Sequence, residues 1–525
     1  MQILKKSGAI YFSILTGLLL AFSFPKFDFE FLAWFGFIPL FFSIEGRKGS
    51  ESFWLGFLAG LFFYFIGLHW IINTLVNFGN ISPFLGYPIL LLLAAYLSTY
   101  VGLFCWIIST LSQKNPRNIL LAPLLWTTFE YIRSTHPELG FSWLGLGYSQ
   151  YKNLPAIQIS EFTGIYGVSA LILLTNSAIF MALREWISSG NIKDTFSKKY
   201  LISAISFTLI MLIGSLSYGF YSLKNSVNRD SPQIKATLIQ GNIDQKLKWE
   251  KKYRKNIMET YERLTITSIQ NKPDIVIWPE AALPFFYNLE IPETRWLNEL
   301  NKSLGIPMLI GGQRLEKNDL GKYIYYNSAY FLKPDSIDTI RRYDKIHLVP
   351  FGEFIPFSNI LSFIKKLVYV PGELGRGEKI SLFELDPWKF GISICYEITF
   401  PDLVRKSAKK GAQFLVTITN DAWFGDSAAS YQHIAIAALR AVENRTPVFR
   451  AANTGITGTI NASGQIYDDT KLFVEDTVQT SIRPRQGKPT YYSQNGDVFS
   501  ICCVILSVIL VFFAFRTGNK NFSKT

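Results

Sequence analysis

The sequence predicts an α+β membrane protein: eight transmembrane helices, with an α/β sandwich domain inserted ahead of the last of them. Three observations carry this expectation. Apolar runs separated by short basic connectors fill residues 8–221 and return at 498–515. Between those regions, short β-rich runs alternate with polar, amphipathic segments, as expected of an α/β sandwich. Lysine and arginine also fall unequally on alternate connectors, which fixes a topology.

A bilayer crossing needs about 20 apolar residues. Runs of that kind lie at Gly8–Phe24, Phe31–Ile44, Phe53–Ile72, Leu85–Leu111, Ile119–Ile132, Gly164–Leu183, Tyr200–Tyr221 and Val498–Phe515. The second and fifth are short and contain Pro39 or Pro123, so a tilted or half-buried helix is a competing reading for each. If the amino terminus is cytoplasmic and all eight cross, the inside segments hold Lys6, Arg47, Lys48, Lys114, Arg117 and Arg184 among others. The short outside loops hold only Lys26, Arg133 and Lys152. That ratio of roughly 13 to 3 obeys the positive-inside rule, and deleting either short span would spoil it.

Three segments follow: a seven-span bundle at 1–221, a large domain at 222–497 facing away from the cytoplasm, and the eighth span with a cytoplasmic tail at 498–525. The first span has the basic start of a signal peptide but no small-residue cleavage site, and reads as an uncleaved anchor. The formal charge of +13 follows largely from the inside connectors, which removes the main argument for nucleic-acid binding. Cys105, Cys502 and Cys503 lie in spans, leaving Cys395 alone in the outer domain. It has no partner there for an intramolecular disulfide, even in an oxidising compartment.

Within the outer domain, strands are expected at Ala236–Gln240, Ile275–Trp278, Pro307–Gly312, Asn327–Leu332, Phe390–Ile394, Phe414–Thr419, Val448–Ala452 and Gly458–Asn461. Helices are expected at Trp249–Ile269, Thr294–Leu304, Phe400–Lys410 and Tyr431–Asn444. Neither an internal repeat nor a low-complexity tract interrupts them.

Three stretches carry reactive groups. Glu280 follows Ile275–Trp278 and Pro279, where proline ends the strand and turns the carboxylate toward an open edge. Taken alone its lesser reading is a surface glutamate, and the apolar run Ala281–Pro284 would bury it and raise its pKa toward general-base range. Lys345 lies between Tyr343 and His347, ahead of Leu348–Phe351. Alone it reads as a snorkelling surface lysine; beside a carboxylate it would be a positioned cation for a thiolate or an oxyanion. Cys395 ends the run Phe390–Ile394 and precedes Tyr396 and Glu397. An unpaired cysteine is ordinarily a small buried hydrophobe, yet the strand end and polar followers suit a nucleophile. His347 or His433 could instead form a Cys–His pair with it.

The ordered set of Trp278-Pro279-Glu280, Lys345 within Tyr343–Glu353, and Cys395-Tyr396-Glu397 resembles the Glu-Lys-Cys triad of the carbon–nitrogen hydrolase, or nitrilase, superfamily. Gln240-Gly241-Asn242, Leu247-Lys248-Trp249, Asn420 to Asp426, Arg450 to Asn453 and Gly455-Ile456-Thr457 add to it, and the spans are similar to those of the membrane-embedded branch.

The resemblance implies a four-layer αββα sandwich carried by eight transmembrane helices in a bacterial inner membrane, with the sandwich in the periplasm and both termini cytoplasmic. It implies acyl transfer from a phospholipid to the free amino-terminal amine of a diacylglyceryl-cysteine apolipoprotein, through a Cys395 thioester with Glu280 as base and Lys345 as oxyanion cation. Glu353, Tyr396 and Glu397 would support the triad, and Trp249, Val349 and Trp423 would approach the lipids. No cofactor is implied, and no zinc-spaced Cys/His cluster, phosphate loop or dinucleotide fingerprint is present. Two other classes stay open: a membrane-anchored amidase hydrolysing a small amide, and a transporter with an appended sensor domain. Transport is disfavoured because ionisable residues are scarce near span centres, His69 being the nearest candidate.

Overall fold

Residues 6–188, 198–225, 231–287, 289–317, 321–335, 341–355 and 374–522 are described in the computed structural model. The chain divides into two units. One comprises Met1–Ile72, Pro83–Lys224 and Asp497–Thr525; the other comprises Asn73–Ser82 and Asn225–Gly496. The short stretch 73–82, expected to belong to the bundle, groups with the second unit.

The first unit is helical. Its longer helices are α1 (Lys6–Phe22), then, after the short α2 (Ile38–Ile44), α3 (Gly49–Gly67); α4 (Ile71–Asn77) runs on into residues 73–82, and α5 is Pro83–Lys114. After α6 (Ala122–Thr135) come the single turns α7 (Leu154–Ile157) and α8 (Ser160–Thr163), then α9 (Ile165–Ser188) and α10 (Lys198–Asn225). Among the described residues, four helices are long and apolar enough to cross a membrane: Gly49–Gly67, Pro83–Lys114, Ile165–Ile187 and Lys199–Asn225. Lys6–Phe22, Glu30–Ile44 and Val498–Phe513 are apolar but shorter.

The two short runs are broken, whereas the longer fourth run keeps Pro88 inside one continuous helix, α5. Phe31–Ile44 forms a 3₁₀ turn at Glu30–Trp34 and then α2, with Pro39 in the first turn of the new helix, a position where its missing N–H costs nothing. The fifth run likewise splits into a 3₁₀ turn at Pro116–Leu121 and α6. α6 also buries two charges. Glu130 accepts from the Leu146 N–H at 2.5 Å, and Arg133 donates to the Trp143 carbonyl at 2.8 Å. Arg133, expected in an outside loop, is thus a buried strut for residues 142–147. Small residues let the helices approach: a Cβ on Gly56 would strike Cys105, one on Gly17 would strike Ala59, and Ser52 donates to Ser109 at 2.8 Å. Such seams suit helix packing in lipid. α10 leaves Ile202, Ile210 and Ile213 more than 60% exposed, an apolar surface that water would not tolerate at this scale.

The second unit is built on two mixed sheets. The first contains β1 (Ile234–Gln240), β2 (Ile275–Ile277), β3 (Met308–Lys317), β4 (Tyr323–Leu332), β5 (Arg341–Asp344) and an antiparallel partner near the end of the domain. The second contains β6 (Leu382–Leu385), β7 (Trp388–Ile394), β8 (Phe414–Thr419), β9 (Val448–Ala452), β10 (Gly458–Ile460) and β11 (Ile466–Tyr467). With β12 (Asp476–Ile482), the orders are β12-β1-β2-β3-β4-β5 and β11-β10-β9-β8-β7-β6. The middle strands β1-β2-β3 and β7-β8-β9 are parallel, and the edges are antiparallel.

Facing side chains join the sheets into one core, including Ile277, Leu309 and Phe331 from the first and Phe390, Val416 and Phe449 from the second. The outer face of the first sheet packs on α11 (Arg254–Ser268) and α12 (Ile291–Leu304), with Tyr261, Leu264, Leu297 and Leu300 buried between them. The outer face of the second packs on α13 (Pro401–Lys409) and α14 (Ala428–Asn444), through Val404, Ile434, Ala438 and Ala441. These are the four layers, helix on sheet on sheet on helix. α15 (Tyr491–Asn495) closes the domain, and α16 (Val498–Phe522) belongs to the first unit.

Candidate active site

In α/β sheets, groups at the carboxyl ends of parallel strands are free to turn toward a shared crevice. β2, β7 and β8 each deliver a group there: Glu280, Cys395 and the backbone of Asn420. Glu280 leaves β2 through Trp278 and Pro279, and the chain then reverses at Ala281, whose φ is +49°. Gly311 on β3 makes room for that reversal. A Cβ there would lie 2.3 Å from the Pro279 carbonyl oxygen and 2.6 Å from the Glu280 Cα.

The Glu280 carboxylate is 5% exposed. Its Oε1 accepts from Asn327 Nδ2 at 2.6 Å and its Oε2 from the Asn420 N–H at 2.7 Å. Burial raises its pKa, against the opposing charge of Lys345. Lys345 follows β5, and its Nζ is 3.8 Å from Glu280 Oε1 and donates to Glu353 Oε1 at 2.8 Å. Burial works against its charge, but the carboxylates of Glu353 and Glu280 outweigh that and hold the ammonium well above the ordinary lysine range. Glu353 Oε2 accepts from the Val349 N–H at 2.8 Å, so the carboxylate fixes its own loop while it holds the lysine.

Cys395 sits at the sharp turn from β7 into a 3₁₀ helix at Cys395–Thr399, with φ +55°. A non-glycine residue in that region carries strain of about 1–3 kcal/mol and persists only where its surroundings hold it. Two arrangements hold it here. Glu397 accepts from the N–H groups of Ile394 (2.7 Å), Ile346 (2.7 Å) and His347 (3.0 Å) and from the Tyr343 hydroxyl (2.9 Å). It therefore ties the Cys395 turn to the Lys345 loop. On the other side, His433 Nε2 lies 3.2 Å from the Cys395 carbonyl oxygen. His433 Nδ1 faces Asp421 Oδ1 and Arg450 Nη2, each at 3.2 Å, and Arg450 Nη2 donates to Asp421 Oδ2 at 2.8 Å.

That arrangement answers the Cys–His alternative. His433 spends its ring on the backbone of Cys395, and burial together with the Arg450 charge lowers its pKa. His347 stacks on Phe400 with ring centroids 3.6 Å apart. The thiol itself is pushed well up by burial and by Glu280, with Lys345 opposing.

The other expected contacts are more scattered. Tyr396 is buried, its ring 5.0 Å from that of Phe400. Trp249 is 39% exposed and its ring pairs with Phe286 at 6.1 Å. Trp423 is held by residues 73–82: Asn73 and Thr74 donate to its carbonyl at 3.0 and 2.9 Å, and Phe78 lies 4.8 Å from its ring. Sequence reasoning missed Asn327 as the donor to Glu280, because an asparagine within a strand carries no signal of its own. It also assigned no role to Lys248, Asn420, Asp421 or Arg450, although all four lie in the stretches that carry the resemblance. Among the described residues, no cluster of three or more His, Cys, Asp or Glu side chains is placed to hold a metal ion.

A two-sheet sandwich with a buried glutamate, lysine and cysteine at its strand ends defines a carbon–nitrogen hydrolase domain, and residues 235–491 match the family model described as carbon-nitrogen hydrolase. Residues 16–178 match the apolipoprotein N-acyltransferase N-terminal domain. The chain is 37% identical to an apolipoprotein N-acyltransferase of Geobacter metallireducens over 96% of its length and 95% of that protein. It is 31% identical to those of Pasteurella multocida, covering 93% and 92% of the two chains, and Haemophilus influenzae, covering 97% and 95%. The chain belongs to the apolipoprotein N-acyltransferase family and is an acyltransferase of the carbon–nitrogen hydrolase superfamily.

Proposed function

We propose that this membrane protein N-acylates apolipoproteins by a two-step exchange on Cys395, with a membrane phospholipid as acyl donor. The observation that carries the reading is the buried pair of Glu280 and Lys345, 3.8 Å apart with Glu353 bonded to the lysine, whose two charges act on the Cys395 thiol. In the first step the sulfur attacks the ester carbonyl while Glu280 takes the thiol proton. Lys345 and the backbone N–H groups following Cys395 stabilise the oxyanion; losing one such donor costs about 3–4 kcal/mol of barrier stabilisation. The ester C–O bond then breaks, Glu280 returns the proton to the departing lysophospholipid oxygen, and a thioester remains.

In the second step the free amine of the diacylglyceryl-cysteine attacks the thioester. Glu280 takes the amine proton and passes it to the leaving sulfur, so amide forms and thiol is regenerated with no nucleotide or metal consumed. Val349, Trp249 and Trp423 lie on loops suited to lipid chains, whose apolar bulk would keep water from the thioester. Support for the setting comes from the four long apolar helices. In this reading they are part of an eight-span bundle in the inner membrane, with residues 222–497 in the periplasm and both termini cytoplasmic, as the basic connectors favour.

The test is intact-protein mass spectrometry after exposure to phospholipid alone. A hydroxylamine-labile fatty-acyl mass on the parent, absent from Cys395→Ser, supports the reading. A folded, active parent that forms no adduct refutes the thioester and brings forward hydrolysis of a small amide.

A further inference from the structure

Lys248 is fully buried, yet its ammonium has no hydrogen-bond partner among the described residues. A buried, unpartnered charge is among the costliest things a fold can carry. Its place explains why it is worth examining. The loop that bears it, which follows β1, is bound to the wall of the active site. Ile243 donates its N–H to Asn453 Oδ1 at 3.0 Å, and Asn453 Nδ2 donates to Asn420 Oδ1 at 3.1 Å. Asn420 Nδ2 donates in turn to Gln245 Oε1 at 2.5 Å, while the Asn420 N–H holds Glu280 Oε2. The loop that bears Lys248 is therefore fastened, at Ile243 and Gln245 and through Asn420, to the carboxylate proposed as the base.

The charges around that carboxylate show what Lys248 supplies. Glu280 is faced by Lys345, Glu353 and Lys248, and the Cys395 thiol lies within the field of Glu280, Lys345 and Asp421. Lys345 is hydrogen-bonded to Glu353 at 2.8 Å and lies farther, 3.8 Å, from Glu280. One ammonium thus serves two carboxylates and is committed to the one that is not the base. Two carboxylates sharing a dry site with a single cation do not both stay ionised at neutral pH.

Resting on the reading of Glu280 as general base, we infer that Lys248 is a positioning residue that supplies the second cation of the reaction centre, keeping Glu280 ionised and able to accept the thiol proton. The pairing is reciprocal. Burial lowers Lys248 to about 8, with Glu280 pulling it back up, and Lys248 in turn lowers Glu280. Between the pKa of Glu280 and about pH 8 both groups are charged, which is the state the first step requires. Because these sites titrate together, a kinetic limb reports the group as a whole.

The experiment measures the rate of acyl-enzyme formation against pH for the full-length detergent-solubilised parent, Lys248→Met and Lys248→Gln, using a defined diacyl glycerophospholipid and intact mass as readout. Thermal unfolding is followed alongside. We expect the acid limb of both variants to move up by about one pH unit, a tenfold loss of rate below the limb with the plateau retained. Their unfolding midpoints should stay close to that of the parent, because Lys248 makes no hydrogen bond among the described residues that the substitution would break. A limb that stays where the parent's lies overturns the assignment. A lowered midpoint with a uniformly lowered rate also overturns it, since that is the signature of a structural lysine; with two different neutral side chains, misfolding peculiar to one does not obscure the result. Failure of the parent to form an adduct is a separate outcome and counts against the thioester reading instead.

Discussion

Replacing Asn327 with leucine isolates the most direct neutral contact to Glu280. Asn327 Nδ2 donates to Glu280 Oε1 at 2.6 Å in a buried setting, and a hydrogen bond to a charged group contributes about 1.5–3 kcal/mol. Nearly all of that is forfeited when the carboxylate takes a proton. At about 1.36 kcal/mol per pKa unit, losing the donor should raise the apparent pKa of the base by roughly one to two units. The acid limb of acyl-enzyme formation should therefore move to higher pH by that amount, with the plateau rate little changed. Leucine fills nearly the same space, and the Asn327 Oδ1 is a buried atom with no partner among the described residues, so folding should not suffer. Rapid-mixing acylation from pH 5 to 9, quenched for intact mass, gives both limbs. A plateau that collapses while the limb stays fixed would refute the reasoning, because Asn327 would then be acting on something other than the ionisation of Glu280.

Three further expectations follow from the same geometry. Lys345→Met removes the cation common to Glu280, Glu353 and Cys395, and acylation should slow by about 10²–10³-fold at every pH, measured as the single-turnover rate; a loss below tenfold would exclude it as an oxyanion donor. Asp421→Asn leaves the fully buried Arg450 without its charge partner and should cost about 3–5 kcal/mol. Its thermal midpoint in detergent should fall by roughly 10 °C, and an unchanged midpoint would contradict the role assigned to this pair behind Cys395. His347 is lowered to about 4 by burial and by the charges of Arg376 and Lys345, so it is neutral in the fold where the unfolded chain would be protonated. The unfolded state then binds more protons between about pH 4 and 6.5. Stability should rise across that window as pH rises, by about 3 kcal/mol in all, and be lost again on acidification. His347→Phe, which keeps the ring on Phe400, should flatten that slope in urea titrations at pH 4.5 and 7.5.

What was legible in the chain was what is local. Glu280, Lys345 and Cys395 each lie just beyond a strand, and a strand followed by proline, or by a polar pair, is visible in a dozen residues. The parallel core strands β2, β7, β8 and β9 were legible because strands covered on both faces are continuous apolar runs. β5 and β12 were not, since Arg341–Asp344 and Asp476–Ile482 are edge strands whose polar residues face out and break the pattern. Long-range donors were illegible for a different reason. Asn327 is 47 residues from Glu280, and Asn420 is 140 residues away; only the sheet order brings them to one carboxylate. In the helical unit, charge asymmetry argued for eight crossings. It took Arg133 for an outside-loop cation, because sequence alone does not separate a solvated arginine from one bonded to the Trp143 carbonyl.

The most direct measurement loads the parent enzyme with a fatty-acyl group from phospholipid, removes excess lipid, and adds either a diacylglyceryl-cysteine peptide with a free amine or the same peptide with its amine acetylated. The expected result is rapid loss of the acyl mass from the protein and its appearance as an amide on the free-amine peptide alone. The acetylated peptide and buffer should leave the thioester intact over the same time. Release as free fatty acid at one rate in all three mixtures would contradict the central claim, for water rather than the amine would then be the acceptor.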